Sequence, residues 1–273
     1  MYKDFYGLRE EPFNITPDPR FLFLTAQHRE AMNHLLYGIR ERKGFICLTG
    51  EVGSGKTTLC RALLNKLDDH YHTALILNPI MTETQLLKAT LCELGISTKR
   101  LDRYGYLRLL NKYLLRVNSC GHDAILIIDE AQDMPDATLE MTRLLSNLET
   151  NRQKLLQIIL LGQPELRDKL AQPSLRQLSQ RITVRYHLGP MTQEDTEQYL
   201  HHRMRVAGLP EAAQNLIRFD PGAVKEIYRF SGGTPRLINA IGDKALLAGY
   251  VHRIGTIDKG LVRLAASELK EAG

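Results

Sequence analysis

The sequence predicts an α/β protein in which a parallel sheet covered by helices is followed by a smaller, all-helical segment. Three observations lead there. Five short apolar runs, "GFICLTG", "TALILNP", "DAILIIDEA", "LQIILLGQP" and "ITVRYHL", alternate with amphipathic stretches, as strands buried on both faces and joined by helical crossovers do. The first run opens into a glycine-rich loop, "GEVGSGKTT". After "LGPM" the strand-like runs stop and helical patterns follow, which sets a boundary near Gly189 and divides the chain into 1–188 and 189–273.

Composition limits what such a chain can be. Its 273 residues suffice for a large and a small domain, each with its own core. An apolar fraction of 43% and a charged fraction of 25% exclude disorder as the main state. The net charge of +5 permits a nucleic-acid or anionic partner without demanding one, because the excess is small and spread along the chain. Cys47, Cys60, Cys92 and Cys120 form no CxxC pair and sit in apolar or helical surroundings, so reduced, buried thiols are expected. The opening "MYKDFYGLREEPF" lacks a signal layout, and no apolar run approaches the roughly 18 residues of a membrane helix. A cytoplasmic chain is the expectation.

The elements follow in order. "GFICLTG" reads as the first buried strand, and "TETQLLKATLCELG" and "LEMTRLLSNLET" carry leucines at helical spacing between the later strands. In the tail, "TQEDTEQYLHHRMRVAG", "PGAVKEIYRFSGG", "TPRLINAIGDKALLAGYV" and "TIDKGLVRLAASELK" read as helices, and no strand is expected there. Thr192 or Asp195 offers a helix start, and Gly208 and Gly232 offer stops.

The loop carries the chemistry. Gly50, Gly53, Gly55, Lys56 and Thr57 fit the G-x-x-x-x-G-K-[ST] spacing, with a strand before and a helix after. Glycines let backbone N–H groups converge on an anion, and the helix beginning at the lysine adds its positive dipole end. Glu51, Val52, Ser54 and Thr58 complete the stretch around the phosphates. Lys56 is expected to reach the β- and γ-phosphates of ATP, and the Thr57 hydroxyl to ligate Mg2+. A second element decides what happens to them: "AILIIDEA" ends its strand in Asp129 and Glu130, and adjacent carboxylates at a buried strand's end are costly unless they have work to do. Asp129 is expected to hold the magnesium and Glu130 to act as general base toward water.

These residues also carry a family resemblance. The loop, the "DE" after the third strand, Gln163 after the fourth and "GGTPR" in the tail together resemble AAA+ ATPases. More narrowly, "YKDFYGLREEPFNITPDPRFLF", "HREAMNHLLYGI", "GFICLTGEVGSGKTTL", "IIDEAQ" and "GTPRLINAIGDKALLAGY" resemble the ExeA-type family of general secretion pathway ATPases over nearly the whole chain. The resemblance implies a P-loop AAA+ sheet with a helical lid, a homo-oligomer such as a ring, and an inner-membrane secretion partner. It implies that Gln163 is the sensor of the γ-phosphate or lytic water, although a turn residue before Pro164 reads the same way, and that Arg236 is the lid sensor arginine. For the arginine supplied to a neighbouring subunit it leaves Arg176, Arg181 and Arg185, with Arg181 preferred at the helix-to-strand junction. Full-length members continue into a membrane helix and a periplasmic peptidoglycan-binding region, so the chain is expected to be a cytoplasmic fragment or a stand-alone relative.

Weaker candidates remain. Phe13 and Ile15 offer apolar walls for the adenine, and packing would explain them equally well. Between Lys99 and Arg116, basic residues interleave with Tyr104, Tyr106 and Tyr113, a mixture that suits DNA, yet Leu107, Leu110, Leu114 and Val117 recur as on an amphipathic helix with a solvated basic face. Related modules serve in DNA transposition, so an ATP-dependent DNA-binding regulator is the alternative reading. His201 and His202 are adjacent and point to different sides of a helix, so no metal beyond magnesium is expected.

Overall fold

The computed structural model describes residues 1–14, 18–151, 153–208 and 218–271. The chain divides into two compact units, one formed by 26–50 and 59–188, the other by 1–25, 51–58 and 189–273. The opening helix α1 (Tyr2–Tyr6) belongs to the second of these.

The first unit is built on a five-stranded parallel sheet. Its strands are β1 (Phe45–Gly50), β2 (Tyr71–Ile76), β3 (Asp123–Ile128), β4 (Gln157–Gly162) and β5 (Ile182–Leu188), in the order β2-β3-β4-β1-β5. All five predicted runs are present. The three inner strands are buried along nearly their whole length, which is why they read as unbroken apolar runs, whereas edge strand β5 alternates buried Ile182 and Val184 with exposed Thr183 and Arg185. Helix α2 (Ala26–Arg40) precedes β1, and α3 (Lys56–Leu64), α4 (Glu83–Glu93), α5 (Arg103–Ser119), α6 (Asp136–Leu145), α7 (Glu165–Ala171) and α8 (Arg176–Arg181) connect the strands. Leu86, Leu87 and Leu91 of α4, Leu110 and Leu114 of α5, and Leu139 and Leu145 of α6 are fully buried in the core that includes Leu126 and Ile158 of the sheet. The start of α4 is fixed by a reciprocal cap: the Gln85 N–H donates to Thr82 Oγ1 and the Thr82 N–H to Gln85 Oε1.

The second unit is mainly helical, with α9 (Gln193–Val206), α10 (Pro221–Ser231), α11 (Pro235–Val251) and α12 (Lys259–Glu271). Thr192 is the cap of α9, paired reciprocally with Asp195, and Gly232 ends α10 in the left-handed conformation. The unit also contains a parallel pair, β6 (Arg218–Phe219) and β7 (Thr256–Ile257), which the sequence reading does not anticipate. Two residues are too few to show a period.

The first 25 residues, which the sequence reading assigns to 1–188, group with the C-terminal helices instead. Tyr6 is 1% exposed and its hydroxyl donates to the carbonyls of Leu246 and Ile254, both at 3.1 Å. Phe13 lies edge-on to Phe219 with centroids 5.9 Å apart. Arg203 of α9 donates from Nε to the Pro12 carbonyl and from Nη2 to the Asn14 carbonyl, with its guanidinium over the Phe21 ring. The cysteine expectation holds for two of four: Cys47 and Cys60 are buried, but Cys92 and Cys120 are exposed at helix ends. Burial pushes the Cys47 thiol up to about 11 and the Cys60 thiol up to about 12. Among the described residues no helix is long and apolar enough to cross a membrane.

Candidate nucleotide-binding site

In a parallel sheet every strand ends at the same edge, and ligands gather there. The register places Thr49 of β1 opposite Gly162 of β4, and Ile128 of β3 opposite Leu160 of β4. Gly50, the Asp129–Glu130 pair and Gln163 therefore leave adjacent strands at one edge of the first unit. Asp129 is 3% exposed; its N–H donates to the Ile76 carbonyl at 2.8 Å, and its Oδ1 accepts the Glu130 N–H at 2.9 Å. A carboxylate so deeply buried demands cationic or polar company.

Glu130 has φ 50° and ψ 41°, a left-handed conformation that costs a residue with a Cβ about 1–2 kcal/mol. Its Oε2 accepts the side-chain amide of Gln132 at 2.8 Å and that of Gln163 at 3.1 Å. Gln163 thus touches the carboxylate assigned as base and is not merely a turn residue ahead of Pro164. Gln132 was not singled out from the sequence, although it lies within "IIDEAQ". Its carbonyl accepts from Lys169 Nζ of α7 at 3.1 Å, as the Met134 carbonyl also does.

The phosphate loop groups with the second unit. Gly53 and Gly55 both have positive φ, +76° and +97°. Lys56 is 5% exposed and its Nζ donates to the Glu51 carbonyl at 3.0 Å, which draws the amine in over the loop. Arg236, the second residue of α11, donates its N–H to the Gly53 carbonyl at 3.3 Å, and a Cβ built on Gly53 lands 2.4 Å from the Arg236 Cβ. The loop can lie against this helix start only because Gly53 has no side chain. Within the second unit, a backbone cradle of this kind, a buried lysine at its helix start and the neighbouring Thr57 hydroxyl are a donor set suited to the phosphates of a nucleotide; in the first unit, the buried Asp129 carboxylate is an oxygen donor of the kind Mg2+ takes.

The other sequence candidates fall differently. Arg181 is half-buried and its Nη1 donates to Ser146 Oγ at 3.1 Å; Arg185 Nη2 donates to the Ser179 carbonyl and Oγ. Arg176, the first residue of α8, is exposed. Phe13 is 2% exposed in the helical core, so its packing is accounted for without a base, and Ile15 lies outside the described residues. In α5, Tyr106 is buried and Tyr113 donates or accepts at His72 Nδ1, 2.8 Å away, leaving Tyr104 at 71% exposure as the tyrosine of that segment open to stacking.

Residues 39–170 match the AAA domain family. General secretion pathway protein A of Aeromonas hydrophila is 44% identical over 273 residues, spanning 98% of this chain and 48% of the relative. The chain therefore spans about half the length of the curated relative it matches. Among solved structures, Cdc6p from Pyrobaculum aerophilum superposes with a TM-score of 0.72 at 18% identity, over 94% of this chain and 70% of that one. The Aeropyrum pernix ORC1 protein, solved in complex with DNA, gives 0.68 at 17% identity over 96% and 70%. At such identities the likeness is one of fold.

Proposed function

We propose, for a chain that belongs to the AAA+ ATPases and is related along nearly its whole length to general secretion pathway protein A, that it hydrolyses ATP in the cytoplasm to drive assembly of a type II secretion-type envelope component. The observation that carries the enzymatic part is Glu130: a strained backbone and two amide donors fix the carboxylate of the residue that follows buried Asp129. A group kept in place at such cost suits proton transfer from an attacking water. In this reading Lys56 and the backbone of Gly50–Thr58 hold the phosphates, while Thr57 and Asp129 hold Mg2+, which would supply charge neutralisation on the phosphate oxygens. Glu130 takes the proton from water as the water oxygen attacks the γ-phosphorus, the bond from that phosphorus to the bridging oxygen breaks so that ADP leaves, and Gln163 keeps the carboxylate oriented. Arg236 joins the loop to the start of α11 through Gly53, so events at the phosphates have a direct route into the helical unit.

The client rests on the relative's name and on the likeness over 98% of the chain. Neither charge nor α5 favours DNA, since two of the three α5 tyrosines are engaged within the fold. Lys56→Ala should weaken ATP binding, whereas Glu130→Gln should leave binding intact and lower turnover by about a hundredfold or more. Wild-type turnover in purified Glu130→Gln protein overturns the base assignment. In cells, Lys56→Ala should mimic deletion, leaving the outer-membrane secretion pore unassembled although its subunits are made; a normal pore in that strain removes the secretion role.

A further inference from the structure

The proposed base does not stand on Gln163 alone. The Gln132 side chain bridges two junctions of the sheet unit: its Nε2 donates to Glu130 Oε2 at 2.8 Å and to Asp133 Oδ2 at 3.2 Å, and its Oε1 accepts the backbone N–H of Gln163 at 3.0 Å. The orientation of this amide is forced. A backbone N–H can only donate, so the oxygen must face Gln163 and the NH2 must face the carboxylates. The approach also depends on Gly162, where an added Cβ would meet Gln132 Oε1 at 3.1 Å and Leu166 Cδ2 at 2.6 Å. The turn that carries Gln132 is held from outside by Lys169 Nζ, which donates to the carbonyls of Gln132 and Met134 and pairs with Asp136 at 3.5 Å.

We infer that Gln132 is a positioning residue for ATP hydrolysis: it fixes the Glu130 carboxylate and ties it to the β4–α7 junction that carries Gln163. This rests on the reading of Glu130 as base. The geometry gives Gln132 a distinct task from Gln163. The Gln163 side-chain amide donates to the carboxylate, but the Gln132 amide makes the turn after β3 and the turn after β4 one hydrogen-bonded assembly. Any shift of Gln163 is thereby transmitted to Glu130 through a single rigid amide.

Gln132→Glu tests this with minimal structural disturbance. A glutamate can still accept the Gln163 N–H, so the bridge to β4 survives, but it presents an acceptor in place of a donor to Glu130. The kcat at neutral pH should then fall about tenfold or more, while KM for ATP, ATP affinity and the thermal midpoint stay close to wild type. Gln132→Met, which keeps the length and loses all three bonds, should lower kcat similarly and also loosen the turn, read as faster amide exchange at Gln163. Glu130→Gln is assayed in parallel. If Glu130→Gln is inactive while Gln132→Glu keeps its kcat, the positioning role is overturned and the base survives. If Glu130→Gln turns over normally, the base assignment falls and the role of Gln132 with it.

Discussion

Gly53→Ala tests the joint between the phosphate loop and the helical unit. An alanine there must keep φ near +76° and place its Cβ 2.4 Å from the Arg236 Cβ, where ordinary carbon contact needs more than 3.4 Å. The left-handed conformation costs about 1–2 kcal/mol for a residue with a side chain. Overpacking of this kind adds about 1–3 kcal/mol, relieved only by displacing the start of α11 and losing the Arg236 N–H bond to the loop. Nucleotide-free protein should therefore lose about 2–5 kcal/mol of unfolding free energy in urea titration. Arg236→Gly removes the opposing Cβ and keeps the N–H, so in that background Gly53→Ala should cost only the backbone part. The cycle should return a coupling of about 1–3 kcal/mol. Additive effects would show that the two residues do not oppose each other as described, and an unchanged single variant would refute the steric reasoning altogether.

Two further outcomes are expected. In native protein at pH 8, a thiol reagent should modify Cys92 and Cys120 rapidly and leave Cys47 and Cys60, whose burial pushes them to about 11 and about 12, until denaturant is added; four equally fast thiols would contradict the fold. If the active form is an oligomer with an arginine donated between subunits, alanine at either exposed Arg176 or Ser146-bound Arg181 should cut turnover about a thousandfold with ATP affinity kept, and mixing that variant with Glu130→Gln should restore activity; concentration-independent turnover by a monomer rules this out.

What the sequence made legible was local. The phosphate loop is a contiguous motif, and the inner strands advertise themselves as unbroken apolar runs because both of their faces are covered. What stayed hidden depends on partners far along the chain. Tyr6 bonds a carbonyl 240 positions away, and nothing near "YKDFY" says that its aromatic residues belong with the C-terminal helices. Gln132 looks like one more polar turn residue until Gln163, 31 positions on, arrives beside it. The place of Arg181 before β5 favours it as an intersubunit residue, but spacing says nothing of its bond to Ser146, 35 positions earlier.

Backbone strain separates Glu130 from the other described non-glycine residues with positive φ, Arg42 and Arg253. Arg42 follows α2, where the next N–H, that of Lys43, donates back to the Gly38 carbonyl; Arg253 follows α11, where the Ile254 N–H donates back to Gly249. Both occupy the left-handed position that closes a helix, and their conformation satisfies carbonyls that would otherwise lack partners. Glu130 closes nothing of the kind. It follows a buried strand and precedes a short turn, a place where extended backbone is the usual entry. A glycine would occupy that position with less strain, and so the reason for a glutamate must lie in its side chain. That side chain receives two amide donors whose own backbones are fixed by β4 and by Lys169. The strain, the donors and the clamp all act on one carboxylate, as expected if that carboxylate must keep one orientation while ATP is turned over.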